Sequence, residues 1–208
     1  MRLLIRVAVL SVLVTGCSPL TLRPGIPGSA EGTVAVPPIG RVLASVPRAP
    51  AAPGNDGTIR LCGPEEPGER LVFTGRVLDY GGRPLDKAAV IAYHADRNGL
   101  YNRRGSDTRV PRLRGVAVTD ARGGFRFSTV RPGAYPDGSE PAHLHVAVLA
   151  PAHEVRHVEY WFEGDPLLTE RHRSQVARGS SAVIVPLSRD RASGGAWTFR
   201  HDIRLEGN

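Results

Sequence analysis

Cysteine is scarce in this 208-residue sequence, which contains only Cys17 and Cys62. Two thiols cannot supply a framework of several disulfides or a cysteine-rich zinc site, so both classes of protein are excluded. We interpret Cys62 as a small, buried or partly buried residue, because no activating partner is identifiable near it in the sequence.

Lysine is scarcer still: Lys87 is the single example, so the net charge of +7 comes almost wholly from arginine. The arginines are spread along the chain and form no basic run interleaved with aromatic residues, as a nucleic-acid binder would have. Nucleic acid is therefore not an expected partner. The basic balance favours solubility and attraction to anionic surfaces or substrates.

No apolar run reaches the ~20 residues of a comfortable transmembrane span. The short apolar segment at residues 7–14 follows Arg2 and Arg6, an arrangement typical of a secretion leader. The letters VTGC at residues 14–17 resemble a bacterial lipobox, which predicts a lipoprotein signal peptide at residues 1–16 and lipidation of Cys17. An ordinary signal peptide is the alternative. The lipobox predicts a location in the bacterial cell envelope, anchored to the membrane through Cys17 on the periplasmic or extracellular face.

Sustained helical periodicity is also missing, apart from a short helix predicted around residues 166–173. A linker rich in Pro, Ala and Gly at residues 17–57 precedes seven or eight short segments of alternating or β-branched character. This pattern predicts an all-β fold, with a single β-sandwich domain at residues 58–208. The sequence has no P-loop, Rossmann glycine pattern or repeat of fixed period.

The sequence does contain metal-ligand residue types between residues 129 and 145, TVRPGAYPDGSEPAHLH. His143 and His145 alternate in a predicted strand, so their side chains should share a face at about 6–7 Å spacing and reach one metal ion. The turn RPGAYP restricts the backbone around Tyr135, because proline limits φ and Gly133 permits a turn. These residues predict a phenol held close to a metal.

Three blocks carry a family resemblance: GRVLDYGGRPLDKAAVIAYHADRNGLY, TDARGGFRFSTVRPGAYP and PAHLHV, with looser matches at YWFEGDP and FRHDIRL. Together they cover roughly residues 71–205 and resemble the intradiol ring-cleavage dioxygenases, which include catechol 1,2-dioxygenase and protocatechuate 3,4-dioxygenase. The resemblance implies a β-sandwich with a non-haem Fe(III) cofactor. Matched by motif, the iron ligands are Tyr101 of G-x-Y, Tyr135 of PGxYP, and His143 and His145 of H-x-H.

The resemblance also implies the reaction and its partners, a catechol-like aromatic and O2. Tyr135 is expected to be displaced from the metal and to take a substrate proton, after which the ring opens between the two hydroxyl-bearing carbons. Two phenolate oxygens favour Fe(III), and two neutral imidazoles leave a net charge near +1 on the site. Zinc or copper would use the histidines but has no need of two tyrosines.

Glu140 and Glu159 depart from the family pattern, in which many members carry arginine and glutamine at these two positions. We predict a catalytic effect of Glu140, because a carboxylate near an anionic catecholate raises the barrier unless a cation compensates. The cations considered for that role are Arg103, Arg104, Arg112 and Arg114.

Two alternatives remain open. If Glu140 abolishes turnover, the chain is a non-catalytic iron- or catecholate-binding lipoprotein. A plain transthyretin-like or carboxypeptidase-regulatory-like sandwich would explain GRVLDYGGRPLDKAAV alone, but it does not require the four ligand residues to occur together. We expect surface or structural roles for the remaining histidines and packing roles for three tyrosines, Tyr80, Tyr93 and Tyr160.

Overall fold

The computed structural model describes residues 57–102 and 110–207. The predicted leader, Cys17 and most of the predicted linker lie outside these ranges, as do Arg103 and Arg104. The described residues form eleven β-strands and one α-helix. In chain order they are β1 (Thr58–Arg60), β2 (Arg70–Leu78), β3 (Ala89–His94), β4 (Leu113–Val118), β5 (Gly124–Val130), β6 (His143–Leu149), β7 (Arg156–Phe162), α1 (Glu170–Ala177), β8 (Ala182–Val185), β9 (Ser188–Asp190), β10 (Ala196–Arg200) and β11 (Ile203–Arg204).

The strands form two sheets that pack face to face, which confirms the predicted all-β sandwich. The first sheet has the order β1-β5-β2-β10-β9, with β11 also paired to β2. The second has the order β4-β3-β6-β7-β8. Strand β6 therefore lies at the centre of the second sheet, antiparallel to both β3 and β7.

Alternation along the strands produces the main core between the sheets. Strand β6 contributes Leu144, Val146 and Val148, which are at most 1% exposed. From the first sheet, the ring of Phe73 stacks on Phe127 at 4.8 Å and on Phe199 at 5.3 Å between centroids. Such aromatic pairs add ~0.5–1.5 kcal/mol each beyond their burial, so this stack is a main source of stability.

The opposite face of the second sheet carries a smaller buried cluster that includes Tyr93, Tyr101, Tyr135 and Ala147. Tyr101 and Tyr135 come from loops rather than strands, so two loops cover one end of this outer face. The predicted site residues therefore lie outside the main core.

Several sequence predictions differ from the structure in detail. Strands β1 and β9 are only three residues long and carried no recognisable alternation, so they were not predicted. The helix begins at Glu170, later than expected, because a turn closed by Asp165 accepting the amide of Leu167 precedes it. The packing role predicted for Tyr80 is wrong, since that residue is 80% exposed, whereas Tyr93 and Tyr160 are buried as expected.

No helix in residues 57–102 or 110–207 is both long enough and apolar enough to cross a membrane.

Candidate metal centre

Strand β6 places His143 and His145 on the outer face of the second sheet, as their spacing predicted. The intervening Leu144 is fully buried in the core, so the alternation separates ligand residues from core residues. The two imidazole rings lie 4.7 Å apart between centroids. Across the sheet, the ring of Tyr93 on β3 stacks on His145 at 4.7 Å and 18°, which limits rotation of that imidazole.

A tight turn after β3 positions Tyr101. Asp96 closes the turn: its amide donates to the carbonyl of Leu100 at 2.9 Å, and its carboxylate accepts the amides of Asn98 and Leu100. Beyond the turn, the carbonyl of Tyr101 accepts the amide of Arg112 at 3.1 Å. Both ends of the segment that carries the phenol are therefore held by backbone hydrogen bonds.

The loop that carries Tyr135 packs directly against this turn, and two glycines make the approach possible. A Cβ on Gly99, which has φ of 75°, would lie 2.0 Å from the carbonyl oxygen of Ala134. A Cβ on Gly133 would lie 2.3 Å from the carbonyl oxygen of Arg97. No larger residue fits at either position, so the two glycines fix the separation of the two tyrosine loops.

The four predicted ligand residues converge. The phenol oxygen of Tyr101 lies 2.9 Å from Nε2 of His145 and 3.3 Å from Nε2 of His143. The phenol oxygen of Tyr135 lies 3.0 Å from that of Tyr101 and 3.2 Å from Nε2 of His143. Tyr101 is thus the central donor, in contact with all three others, and Tyr135 is the more peripheral phenol.

Hydrogen bonds on the far side of His143 fix its tautomer. Its Nδ1 lies 2.7 Å from the carbonyl oxygen of Pro141, which can only accept, so the proton resides on Nδ1. The lone pair of Nε2 then faces the two phenol oxygens. An imidazole fixed in this way is the usual form of a metal-ligating histidine.

The far side of His145 faces a carboxylate. Glu159 lies opposite it in the β6–β7 register, with Oε2 3.8 Å from Nδ1. The other carboxylate oxygen, Oε1, accepts the indole N–H of Trp161 at 2.6 Å. Glu159 therefore has a fixed orientation behind the histidine.

Burial keeps three of the four donors, Tyr101, Tyr135 and His145, neutral in the metal-free arrangement. It raises the pKa of Tyr101 far above its usual range and raises the pKa of Tyr135 to about 12. At Tyr135, a hydrogen bond from Tyr101 opposes the rise, whereas the charges of Glu159 and Glu140 add to it. Burial lowers the pKa of His145 to about 3. A phenolate at this site consequently needs a cation beside it.

This donor set fits a ferric ion. Imidazole suits iron, and two hard phenolate oxygens together with a trivalent ion satisfy the requirement for a compensating charge. Within residues 57–102 and 110–207 there is no competing cluster of three or more His, Cys, Asp or Glu side chains arranged to hold a metal. The two tyrosines and two histidines are therefore the candidate ligands.

Glu140 lies beside the centre but is engaged elsewhere. Its carboxylate lies 3.7 Å from Nε2 of His172 on α1, and its side chain is 44% exposed. The ring of His172 contacts Trp161 edge to face at 4.9 Å between centroids. The sequence analysis did not predict that His172 and Trp161 lie beside the centre. The alternation of Glu159 and Trp161 along β7 was the one sequence signal that could have indicated the position of Trp161.

Neither Arg112 nor Arg114, the two candidates among the described residues, replaces the missing cation. Arg112 forms ion pairs with Glu66 at 2.6 Å and Asp96 at 3.2 Å, so its charge is already balanced. Arg114 is exposed and donates to the carbonyl of Pro111. The compensating role considered for Arg112 is therefore wrong.

Comparison with known proteins agrees with this geometry. A family model described as Dioxygenase matches residues 46–207. The protocatechuate 3,4-dioxygenase beta chain of Burkholderia cepacia is 38% identical over 112 residues, which cover 49% of this chain and 48% of that protein. Catechol 1,2-dioxygenase 2 of Acinetobacter lwoffii is 30% identical over 163 residues, which cover 71% of this chain and 59% of that protein.

A solved structure is also similar, that of the dioxygenase domain of a dioxygenase carbohydrate-binding protein fusion from Streptomyces sp. SirexAA-E. It has a TM-score of 0.57 at 25% identity, over 74% of this chain and 91% of that one. The chain spans about half to three fifths of the length of the two curated relatives. The match over residues 46–207 nevertheless includes the whole candidate centre, and the chain belongs to the intradiol ring-cleavage dioxygenase family.

Proposed function

We propose that this protein is a non-haem Fe(III)-dependent dioxygenase that cleaves a catechol-like ring between its two hydroxyl-bearing carbons. The observation that carries the proposal is the convergence of two phenol oxygens and two imidazole nitrogens within 2.9–3.3 Å contacts. In the overall reaction, the substrate and one O2 combine into a single muconate-type diacid, and both oxygen atoms remain in the product.

Tyr101, Tyr135, His143 and His145 would hold the iron, and their roles differ. Tyr101 contacts all three other donors, whereas Tyr135 contacts two, so Tyr101 suits a permanent ligand. Ferric iron, when bound, would supply the Lewis acidity that lowers the pKa values of the substrate hydroxyl groups.

Tyr135 suits the role of proton acceptor. It is the peripheral phenol and contacts only two of the other three donors, so its displacement disturbs the set least, and a phenolate oxygen placed beside a substrate hydroxyl can take its proton. The turn behind it is closed by its own amide donating to the carbonyl of Glu140 at 3.2 Å. The backbone can therefore remain in place while the side chain rotates.

The two histidines have fixed roles as neutral ligands. The carbonyl of Pro141 fixes the tautomer of His143, and burial keeps His145 uncharged across the physiological range. Tyr93, stacked on His145, excludes water from one side of the imidazole. A dry, preorganised site of this kind strengthens electrostatic interactions with a developing anion.

Oxygen uptake by the purified, iron-loaded full chain tests this proposal. With a panel of catechols, we expect one O2 consumed per ring opened and a diacid product identified by mass spectrometry. Tyr101→Phe should abolish the reaction. Stoichiometric zinc in protein grown with ample iron, without oxygen uptake on any catechol, would refute the proposal.

A second candidate function is iron or catecholate binding without turnover. Glu140 and Glu159 favour it, because both carboxylates act on Tyr135 and the charge of Arg112 is already paired with Glu66. Under this alternative, catechol would shift the visible spectrum of the iron-loaded protein without oxygen consumption.

We also propose that the protein is lipid-anchored at Cys17 in the bacterial cell envelope. The support is the VTGC segment, which precedes the described residues. Cys17→Ala should move the protein from the membrane fraction to the soluble fraction without changing its iron content. A mature chain that begins at any other residue would contradict the proposal.

A further inference from the structure

A pocket separate from the metal centre lies on the outer face of the first sheet. The metal centre lies on the outer face of the second sheet. The volume of the pocket is about 300 Å³, at the small end of ligand sites. Three arginines line it together with one thiol and several hydroxyl groups, and no carboxylate is among the described lining residues. The lining includes Arg60, Cys62, Arg70, Arg126 and Ser128.

Strand register places two of these arginines side by side. On the parallel pair β1–β5, Arg60 lies opposite Ser128, and Arg126 lies two residues earlier on the strand of Ser128. Side chains two residues apart share a face, so Arg60 and Arg126 are diagonal neighbours with the Ser128 hydroxyl beside them. Two guanidinium groups held this close repel each other, and a negative charge between them relieves the repulsion.

The protein supplies little of that negative charge. Among the described residues, neither Arg60 nor Arg126 has an ion-pair partner within 4.0 Å. Asp190 is the carboxylate that interacts most clearly with Arg126. The pKa of Asp190 is lowered mainly by hydrogen bonds from Ser193 and from the amide of Ala192. The charge of Arg126 lowers that pKa less.

The third arginine is held in place by the backbone. Arg70 donates to the carbonyl oxygens of Pro64 and Glu66 at 2.7 and 2.9 Å through one terminal nitrogen. Its other terminal nitrogen lies 3.9 Å from Sγ of Cys62. Two carbonyls orient this guanidinium but do not neutralise it, so it adds a fixed positive charge at the pocket wall.

We propose that this pocket binds a compact oxyanion of the phosphate class. Arg60 and Arg126 bind the oxyanion through charge-assisted hydrogen bonds, and Ser128 donates a further one. The ligand is either free phosphate or the phosphate of a lipid headgroup, since both present the same chemistry.

Calorimetric titration of the iron-loaded full chain with inorganic phosphate tests the proposal. We expect saturable 1:1 binding that weakens at least tenfold in Arg60→Ala and in Arg126→Ala. The matched control is Arg122→Ala, which removes the same charge from an exposed turn and should change the affinity less than twofold. The visible spectrum is followed in the same titration, so that phosphate bound to iron would be detected.

A second measurement uses the unmutated protein, so its result does not depend on whether the variants fold. A dianionic aromatic disulfide should label Cys62 faster than a neutral disulfide does, and phosphate should slow the dianionic reaction at least fivefold while changing the neutral reaction less than twofold. Peptide mass spectrometry assigns the label. The proposal is overturned if phosphate does not slow the dianionic reaction at Cys62, if it slows the neutral reaction equally, or if Arg122→Ala weakens binding as much as the pocket variants do.

Vesicles distinguish the two sources of the ligand. Phosphatidylglycerol in phosphatidylcholine vesicles should recruit the wild-type chain more strongly than Arg60→Ala if the ligand is a headgroup, and free phosphate should reduce that difference. Equal recruitment of both proteins, together with calorimetric phosphate binding, assigns the pocket to free phosphate.

Discussion

Glu159 faces His145 across the β6–β7 pair, with a carboxylate oxygen 3.8 Å from the imidazole nitrogen that points away from the phenols. The indole N–H of Trp161 holds that carboxylate at 2.6 Å. A negative charge behind a ligating imidazole strengthens it as a donor, so Glu159 should stabilise the bound cation without touching it.

Glu159→Gln should therefore weaken ferric binding by about tenfold or more, the usual effect of losing such an outer partner. The phenolate-to-iron charge-transfer band should also move to lower energy. Without the carboxylate charge behind His145, that imidazole donates less to the iron, which then attracts electrons more strongly. Metal titration followed by visible absorption measures both effects. Glu154→Gln, at an exposed position, is the matched control, and identical titrations of the two variants would contradict the role given to Glu159.

Three tyrosine-to-phenylalanine variants separate ligands from neighbours. Tyr101→Phe should lose most of the visible band and most of the iron, because Tyr101 contacts all three other donors. Tyr135→Phe should retain iron with a weaker band. Tyr93→Phe keeps the ring stacked on His145 and should leave the band intact. A band that survives in Tyr101→Phe would rule out the ligand set.

Stability of the metal-free protein should fall in mild acid. His94 is fully buried, and burial lowers its pKa from 6.5 to about 4. Between these two values the unfolded chain binds a proton that the folded chain does not, so the free energy of unfolding decreases as the pH falls from about 6.5 to about 4. The shift corresponds to about 3 kcal/mol for His94 alone.

Urea unfolding at several pH values measures this effect. His94→Gln should flatten the dependence on pH, although it will also lower stability by disturbing hydrogen bonds to Ala95 and Thr129. His157→Gln, at an exposed position, should leave the slope unchanged. Equal slopes in wild type and His94→Gln would show that His94 is not the titrating group.

Glu140→Arg should raise turnover of simple catechols by about tenfold, the effect of ~1.4 kcal/mol on the barrier. The reason is that the substitution replaces a negative charge that acts on Tyr135 with a positive one. Oxygen uptake at equal iron loading is the measurement. Glu154→Arg makes the same charge change at an exposed position away from Tyr135, should leave turnover unchanged and serves as the control.

Two other outcomes of that experiment are informative. Gain of activity on catechol with loss on a substrate that carries a cationic group would assign Glu140 to substrate recognition. Unchanged kinetics on every catechol would show that pairing with His172 keeps the Glu140 carboxylate away from the ring.

The convergence of the four candidate ligands could be predicted because its signals are local. Alternation alone places His143 and His145 on one face, and proline and glycine around Tyr135 indicate a rigid turn. The family resemblance added Tyr101, whose loop has no periodicity of its own. These features depend on neighbours in the sequence, and the structure brings all four together as expected.

The surroundings of the site could not be predicted because they depend on distant pairings. Nothing in the spacing of Glu140 and His172 indicates that a helix terminus brings them to 3.7 Å. Likewise, the ion pair of Arg112 with Glu66 joins segments that only the completed fold brings together. Short strands such as β1 escape prediction for the same reason, since three residues are held by their partner strand rather than by their own pattern.

Because side chains alternate along β6, the metal centre can form only when this strand is paired in the correct register. A slip of one residue would move His143 and His145 into the apolar interior and bring Leu144 and Val146 to the outer surface. A misregistered chain would lose its core packing and the proposed iron site together. The fraction of iron bound by a refolded sample would therefore report the fraction of molecules with the native strand register, without any probe attached to the protein.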